Sequence, residues 1–246
     1  MKKTPDAVSR ARQRLRAEMS ERADTLLAYG ETGTGKTAQI GQAAVWEFKR
    51  TGRITRLISA DSGWDPIEEL VAGGGKPFGT ETASGPVCIE AWNIQYLPNP
   101  FPVVVKLSEG AWPRVVTIGA GANAAQKIML GAPAKDPGGH LLSSDGKTLV
   151  GQYAVEGLST ISAMLMQDHI RNLRKIAEDI VGDFSGSVEI ADSSGRITNE
   201  SLKFGKSGRA HYGHVQDFVL LDLVPRFATL PVARVIWTAH EAKGTE

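Results

Sequence analysis

Apolar positions in this chain fall into two kinds of run, and their alternation sets the expected architecture. Short continuous runs occur at Thr25-Leu26-Leu27-Ala28-Tyr29, Ile54-Thr55-Arg56-Leu57-Ile58, Val87-Cys88-Ile89-Glu90-Ala91-Trp92, Gln152-Tyr153-Ala154-Val155 and Val232-Ala233-Arg234-Val235-Ile236-Trp237. Runs of this length bounded by turn residues read as short buried strands of a parallel sheet. Between them, apolar residues recur at helical spacing. Ile40, Ala44 and Phe48 share a face over Thr37 to Arg50, and Ile161, Leu165, Leu173, Ile176 and Ile180 do so over Thr160 to Ile180. A further helix is expected over His214 to Phe227, bent or ended by Pro225. The pattern predicts an α/β fold with a mainly parallel central sheet and helices on both faces.

Punctuation residues refine this reading. Lys49 and Arg50 suit a last helical turn, and Gly52 suits its end. Asp65 as a cap, Pro66 at the first helical position and Glu68 in a capping box predict a helix to about Ala72, ended by Gly73-Gly74-Gly75. The three prolines of Leu97-Pro98-Asn99-Pro100-Phe101-Pro102 argue against regular structure there. Beyond them, Val103–Leu107 and Val115–Ile118 are candidate short elements, and Gly131–Gly146 reads as a loop. The stretches 97–150 and 182–213 read as irregular insertions, the second carrying Lys203, Lys206, Arg209 and His211. Residues 1–24, with Arg10, Arg12, Arg14 and Arg16, read as a basic helix or arm ahead of one domain spanning 25–246.

The first predicted strand runs into Gly30-Glu31-Thr32-Gly33-Thr34-Gly35-Lys36-Thr37, which matches the phosphate-binding pattern G-x-x-x-x-G-K-[ST]. The glycines at 30, 33 and 35 allow backbone conformations in which successive N–H groups face a phosphate. Lys36 is placed to reach the β- and γ-phosphates of ATP, and the Thr37 hydroxyl to ligate Mg²⁺. Strand, glycine loop and helix is the context this chemistry requires, and the helix N-terminus adds partial positive charge.

Composition narrows the picture only modestly. With 246 residues and a net charge of +1, the chain can hold one sizeable α/β core, and no general affinity for polyanions follows. Cys88 is the single cysteine, so no internal disulfide can form, which suits a reducing compartment. Apolar runs stay short of 18 residues and the N-terminus is charged, so a cytoplasmic protein without membrane contact is expected.

Polar residues at the carboxyl ends of parallel strands are where ligands bind in such sheets. Besides the phosphate loop, Asp61, Glu156, and Thr238 with His240 fall at such ends. Here the chain resembles the RecA-type P-loop ATPases, in particular the short phage-encoded group that includes single-strand annealing and recombination proteins. Ile58-Ser59-Ala60-Asp61-Ser62-Gly63-Trp64-Asp65-Pro66-Ile67 is similar to the segment whose acid polarises the attacking water. Val155-Glu156-Gly157-Leu158-Ser159 resembles the Walker B run, and Trp237-Thr238-Ala239-His240-Glu241 resembles the Thr-x-His ending of the strand that senses the γ-phosphate. The resemblance implies a RecA-like fold and catalytic roles for Lys36, Asp61, Glu156 and His240. It also implies Thr37 and Glu156 beside Mg²⁺, single-stranded DNA as a partner, and a homo-oligomer in the host cytoplasm. Three departures stand out. Glu156 replaces the usual Asp, Asp61 replaces the usual Glu, and RecA-like folds continue for several strands after the sensor strand whereas this chain stops at Glu246.

These features lead to an expected Mg-dependent ATPase acting on DNA in recombination, annealing or replication. Two alternatives remain. One is a nucleotide-bound assembly module with little hydrolysis, which the altered carboxylates would suit. The other is a small-molecule or nucleotide kinase, with Arg196, Lys203, Lys206 and Arg209 supplying a lid.

Overall fold

The computed structural model describes residues 22–61, 64–97, 100–118, 125–168, 188–191, 197–200 and 215–240. Strand β1 (Asp24–Gly30) leads through the glycine loop into helix α1 (Lys36–Thr51), and β2 (Ile54–Ser59) follows. A 3₁₀ helix (Asp65–Leu70) and the two-residue strands β3 (Glu81–Thr82) and β4 (Gly85–Pro86) precede β5 (Ile89–Asn93). Helix α2 (Pro100–Ser108) and the antiparallel ribbon of β6 (Trp112–Ile118) and β7 (Ala125–Gly131) come next. The chain then forms β8 (Val150–Glu156), helix α3 at 158–168, the antiparallel pair β9 (Val188–Ala191) and β10 (Ile197–Glu200), helix α4 at 215–228, and β11 (Arg234–His240).

Five of these strands make one sheet in the order β1-β11-β8-β2-β5, with every pairing parallel. Strand β2 is buried along its whole length because both of its faces are covered, and its polar Thr55, Arg56 and Ser59 are buried with Ile54, Leu57 and Ile58. On one face Leu57 and Ile236 pack with Ile40 and Ala44 of α1 and with Ile67 and Leu70 of the 3₁₀ helix. On the other, Tyr153, Val155 and Trp237 pack with Leu107, Ile161, Leu165 and Phe227 from the helices at 100–108, 158–168 and 215–228. Phe227 meets Tyr153 and Trp237 edge to face, at ring separations of 5.9 and 5.2 Å.

Several expectations need correction. Strand β1 forms, but it is the outer strand of the sheet and its Leu26, Leu27 and Tyr29 are 50–61% exposed, so it is not buried. The proline-rich stretch at 97–102 does not exclude a helix. Pro100 and Pro102 sit in the first turn of α2, where a missing N–H costs nothing. The segment after Asp65 is a 3₁₀ helix whose N-cap position is Trp64, with no side-chain cap bond, so the capping box does not form. Pro225 does not end α4. A π-helical segment, Val219–Leu223, directly precedes it and loosens the hydrogen-bond ladder where the proline withholds a donor. The stretch at 97–150 contributes Val104, Leu107, Trp112 and Leu141 to the core and so is not a mere insertion. Within 182–213, β9 and β10 make a regular ribbon; Arg196, Lys203, Lys206, Arg209 and His211 lie outside the described residues, as do residues 1–21 of the 1–24 arm and Leu173, Ile176 and Ile180. No helix among the described residues is long and apolar enough to cross a membrane.

A buried cation ties the 131–149 stretch to the sheet. Arg56 on β2 donates to Glu90 Oε2 at 2.9 Å, to the Tyr153 hydroxyl at 2.9 Å and to the Leu142 carbonyl at 2.7 Å. Its guanidinium lies 4.6 Å from the Trp112 ring centre, and Glu90 Oε1 accepts the Ser144 N–H at 2.8 Å. Removing one member leaves the other charge buried and unpaired. Arg56→Ala is therefore expected to lower unfolding free energy by about 3–5 kcal/mol in urea denaturation, and the double change Arg56→Met with Glu90→Gln to cost less than Arg56→Ala alone. A loss below about 1 kcal/mol for Arg56→Ala would contradict this role.

Candidate functional site

The parallel register brings the carboxyl ends of four strands to one level. Gly30 lies opposite His240, and Ser59 opposite Glu156. A cleft of about 470 Å³ opens there, lined by the glycine loop, Asp61, Gln95, Glu156, Thr160, Thr238 and His240. All four strand-end signals seen in the sequence thus line one cavity.

The loop has the backbone its glycines predict. Gly33 and Gly35 take φ of 83° and 79°, values that side chains disfavour, and Gly35 is the N-cap of α1. Gly35 makes no side-chain cap bond, and the first N–H groups of a helix have no intrahelical partner, so this helix start suits an anion. Lys36 is buried and its ammonium folds back on the loop, donating to the Gly30 carbonyl at 2.9 Å and the Glu31 carbonyl at 2.6 Å. Thr34 closes the turn by donating to the Glu31 carbonyl at 2.8 Å.

Thr37 and Glu156 meet although they are 119 positions apart in the chain: the Thr37 hydroxyl donates to Glu156 Oε1. The extra methylene of Glu156 relative to aspartate lets it reach this hydroxyl directly. Ser59 Oγ lies 2.6 Å from the Asp61 carbonyl and 3.0 Å from Glu156 Oε2. Burial pushes the Glu156 carboxyl above its ordinary range, with the Thr37 and Ser59 hydrogen bonds opposing. Among the described residues no group of three or more His, Cys, Asp or Glu side chains could hold a metal by itself. A Mg²⁺ ion here would rest on Thr37, Glu156 and phosphate oxygens, as hard cations bound with nucleotides commonly do.

Asp61 and His240 form a second pair. His240 Nε2 lies 2.9 Å from Asp61 Oδ2, and Thr160 donates to Asp61 Oδ1 at 2.6 Å. The other ring nitrogen, Nδ1, lies 3.4 Å from the Thr32 hydroxyl of the loop. Thr238 accepts the Gly157 N–H at 3.1 Å, joining β11 to the end of β8. Sequence reasoning singled out Asp61, Glu156 and His240 but not their mutual contacts, and it missed Thr160, Gln95 and the part played by Ser59. Ser59 was legible as a polar residue at a strand end. Thr160 carried no signal beyond following the 155–159 run.

The raised Glu156 carboxyl fixes a pH dependence. Between the ordinary carboxylate range and the raised value, the folded chain binds more protons than the unfolded one, so stability falls as pH rises through that window. Without nucleotide, Glu156→Gln is expected to be more stable than wild type near pH ~7.5, with the advantage shrinking as pH falls to about 4.5, measured by urea denaturation across pH. An advantage that grows toward acid pH would contradict the burial of this charge.

Comparisons with protein-family models, with curated proteins and with solved structures each found no match.

Proposed function

We propose that this chain is a RecA-like P-loop protein that binds Mg–ATP and hydrolyses it. The observation that carries the reading is the convergence, in one cleft, of a glycine loop at a helix N-terminus, Lys36, the Thr37–Glu156 pair and Asp61. The β- and γ-phosphates would lie along the loop, with Lys36 exchanging its carbonyl contacts for phosphate oxygens. Bound Mg²⁺ would neutralise charge on the phosphates, and Thr37 and Glu156 are the side chains placed beside it. Burial raises the Glu156 carboxyl, and a metal takes the carboxylate form, so metal binding here would tighten as pH rises. Asp61 would accept a hydrogen bond from the attacking water and orient it in line with the γ-phosphorus. His240, between Asp61 and Thr32, would link that carboxylate to the state of the loop.

The DNA-directed part of the reading, action in phage recombination, annealing or replication, rests on the family resemblance. One observation favours the second reading, a nucleotide-bound module with little hydrolysis. Both oxygens of Asp61 already have partners, which leaves fewer lone pairs for a water. ATP turnover with and without single-stranded DNA separates them. Turnover stimulated by DNA supports the proposal, and tight ATP binding with no turnover supports the module.

Two outcomes test the assignments. Lys36→Ala should weaken ATP binding tenfold or more, by about 1.5–3 kcal/mol, in calorimetry; unchanged affinity would remove the phosphate loop from the reading. Asp61→Asn should keep Mg–ATP affinity and lower turnover, whereas Glu156→Gln should raise the Mg²⁺ concentration needed for half-maximal turnover. Exchanged phenotypes in steady-state kinetics would reverse the two roles.

A further inference from the structure

The structure gives Asp61 a cradle of its own. Asp61 lies two residues past the end of β2, where a short side chain on a turn would ordinarily sample several rotamers. Here its carboxylate is fixed on three sides. Thr160 donates to Oδ1 at 2.6 Å, His240 Nε2 stands 2.9 Å from Oδ2, and the carboxylate rests against Gly157. A Cβ at Gly157 would lie 2.7 Å from Asp61 Cγ and 2.8 Å from both oxygens, closer than real contacts allow. Gly157 also takes φ of 83°, so both its backbone and its missing side chain suit this position.

We infer that Thr160 is a positioning residue for hydrolysis: its hydroxyl, in the first turn of α3, fixes the plane of the Asp61 carboxylate over Gly157 so that the Oδ2 edge faces His240. This deepens the proposed ATPase reading and rests on it. The physical need follows from the length of the acid. Aspartate is one methylene shorter than glutamate and cannot reach far toward a water. Its usefulness depends on where its carboxylate is held, and an error of about 1 Å can cost a hundredfold in rate. Thr160 supplies that constraint from β8's side of the sheet, because β8 ends at Glu156 and α3 begins just past Gly157. One short turn therefore serves both carboxylates. Glu156 faces Thr37, and four residues later Thr160 holds Asp61. Neither contact of Asp61 involves Lys36 or Thr37, so the cradle can be weakened without touching the phosphate-binding groups.

The test uses the full chain and three variants: Thr160→Val, which keeps shape and removes the donor, Thr160→Ser, which keeps the donor, and Asp61→Asn as a reference for loss of the carboxylate. Two quantities are measured. The first is the ¹⁵N chemical shift of the His240 ring at one fixed pH without nucleotide. The second is steady-state Mg–ATP turnover. Thr160→Val is expected to move the ring shift toward that of Asp61→Asn and to lower kcat at least about tenfold, with KM within about twofold. Thr160→Ser is expected to keep the wild-type ring shift and kcat within about threefold. A wild-type ring shift in Thr160→Val overturns the cradle, whatever the turnover. So does an equal loss of kcat in Thr160→Ser and Thr160→Val, which would make the role structural. If the ring shift moves as expected but the wild-type chain turns over no ATP, the hydrolysis reading fails and the catalytic use of Thr160 fails with it, while the geometry of the cradle stands.

Discussion

In-register parallel pairing is the constraint on which the rest of this molecule depends. The glycine loop, Asp61, Glu156 and His240 come from four separate parts of the chain, and the pairings of β1 with β11, β11 with β8 and β8 with β2 set them at one height. A slip of one residue would reverse which face each side chain occupies. The register is held by what packs on it. Leu57 and Ile236 are buried against α1 on one face, and Tyr153, Val155 and Trp237 against three helices on the other. The site is thus a consequence of core packing several ångströms below it.

At that level the site divides into two layers of different character. In the Thr37–Glu156 layer the Glu156 carboxyl is buried, so it holds a proton more readily than an exposed one would. The Asp61–His240 layer is more open to solvent and is defined by hydrogen bonds instead of burial. The only described side-chain contact between the second layer and the phosphate loop is the long one from His240 to Thr32. Ser59 joins the two layers, reaching the Asp61 carbonyl and the Glu156 carboxyl, so the proposed metal and water roles would sit on different but connected supports.

Much of this was legible in the sequence, for identifiable reasons. The glycine loop is readable because its chemistry demands particular residues at fixed spacing, and the core strands because burial on both faces concentrates apolar residues in short runs. Three things were not legible. The edge position of β1 depends on strand order, which a hydrophobic run such as Thr25–Tyr29 does not encode. The helix at Pro100 was hidden because proline opposes a helix interior but not its first turn, and spacing alone does not say which applies. Thr160 was hidden because its importance lies in a contact with a residue 99 positions away. The RecA-like assignment and the DNA partner stay at the level of resemblance, whereas the parallel sheet with helices on both faces is visible in the fold.

The central claim is that the loop at Gly30–Thr37 binds nucleotide through its phosphates. Calorimetric titration of the full chain with ATP, ADP and AMP in the presence of Mg²⁺ tests it most directly. The account predicts an affinity that falls with each phosphate removed, with AMP at least about a hundredfold weaker than ATP, since two charged phosphate contacts are lost. AMP binding as tightly as ATP, or no detectable binding of ATP, would contradict it.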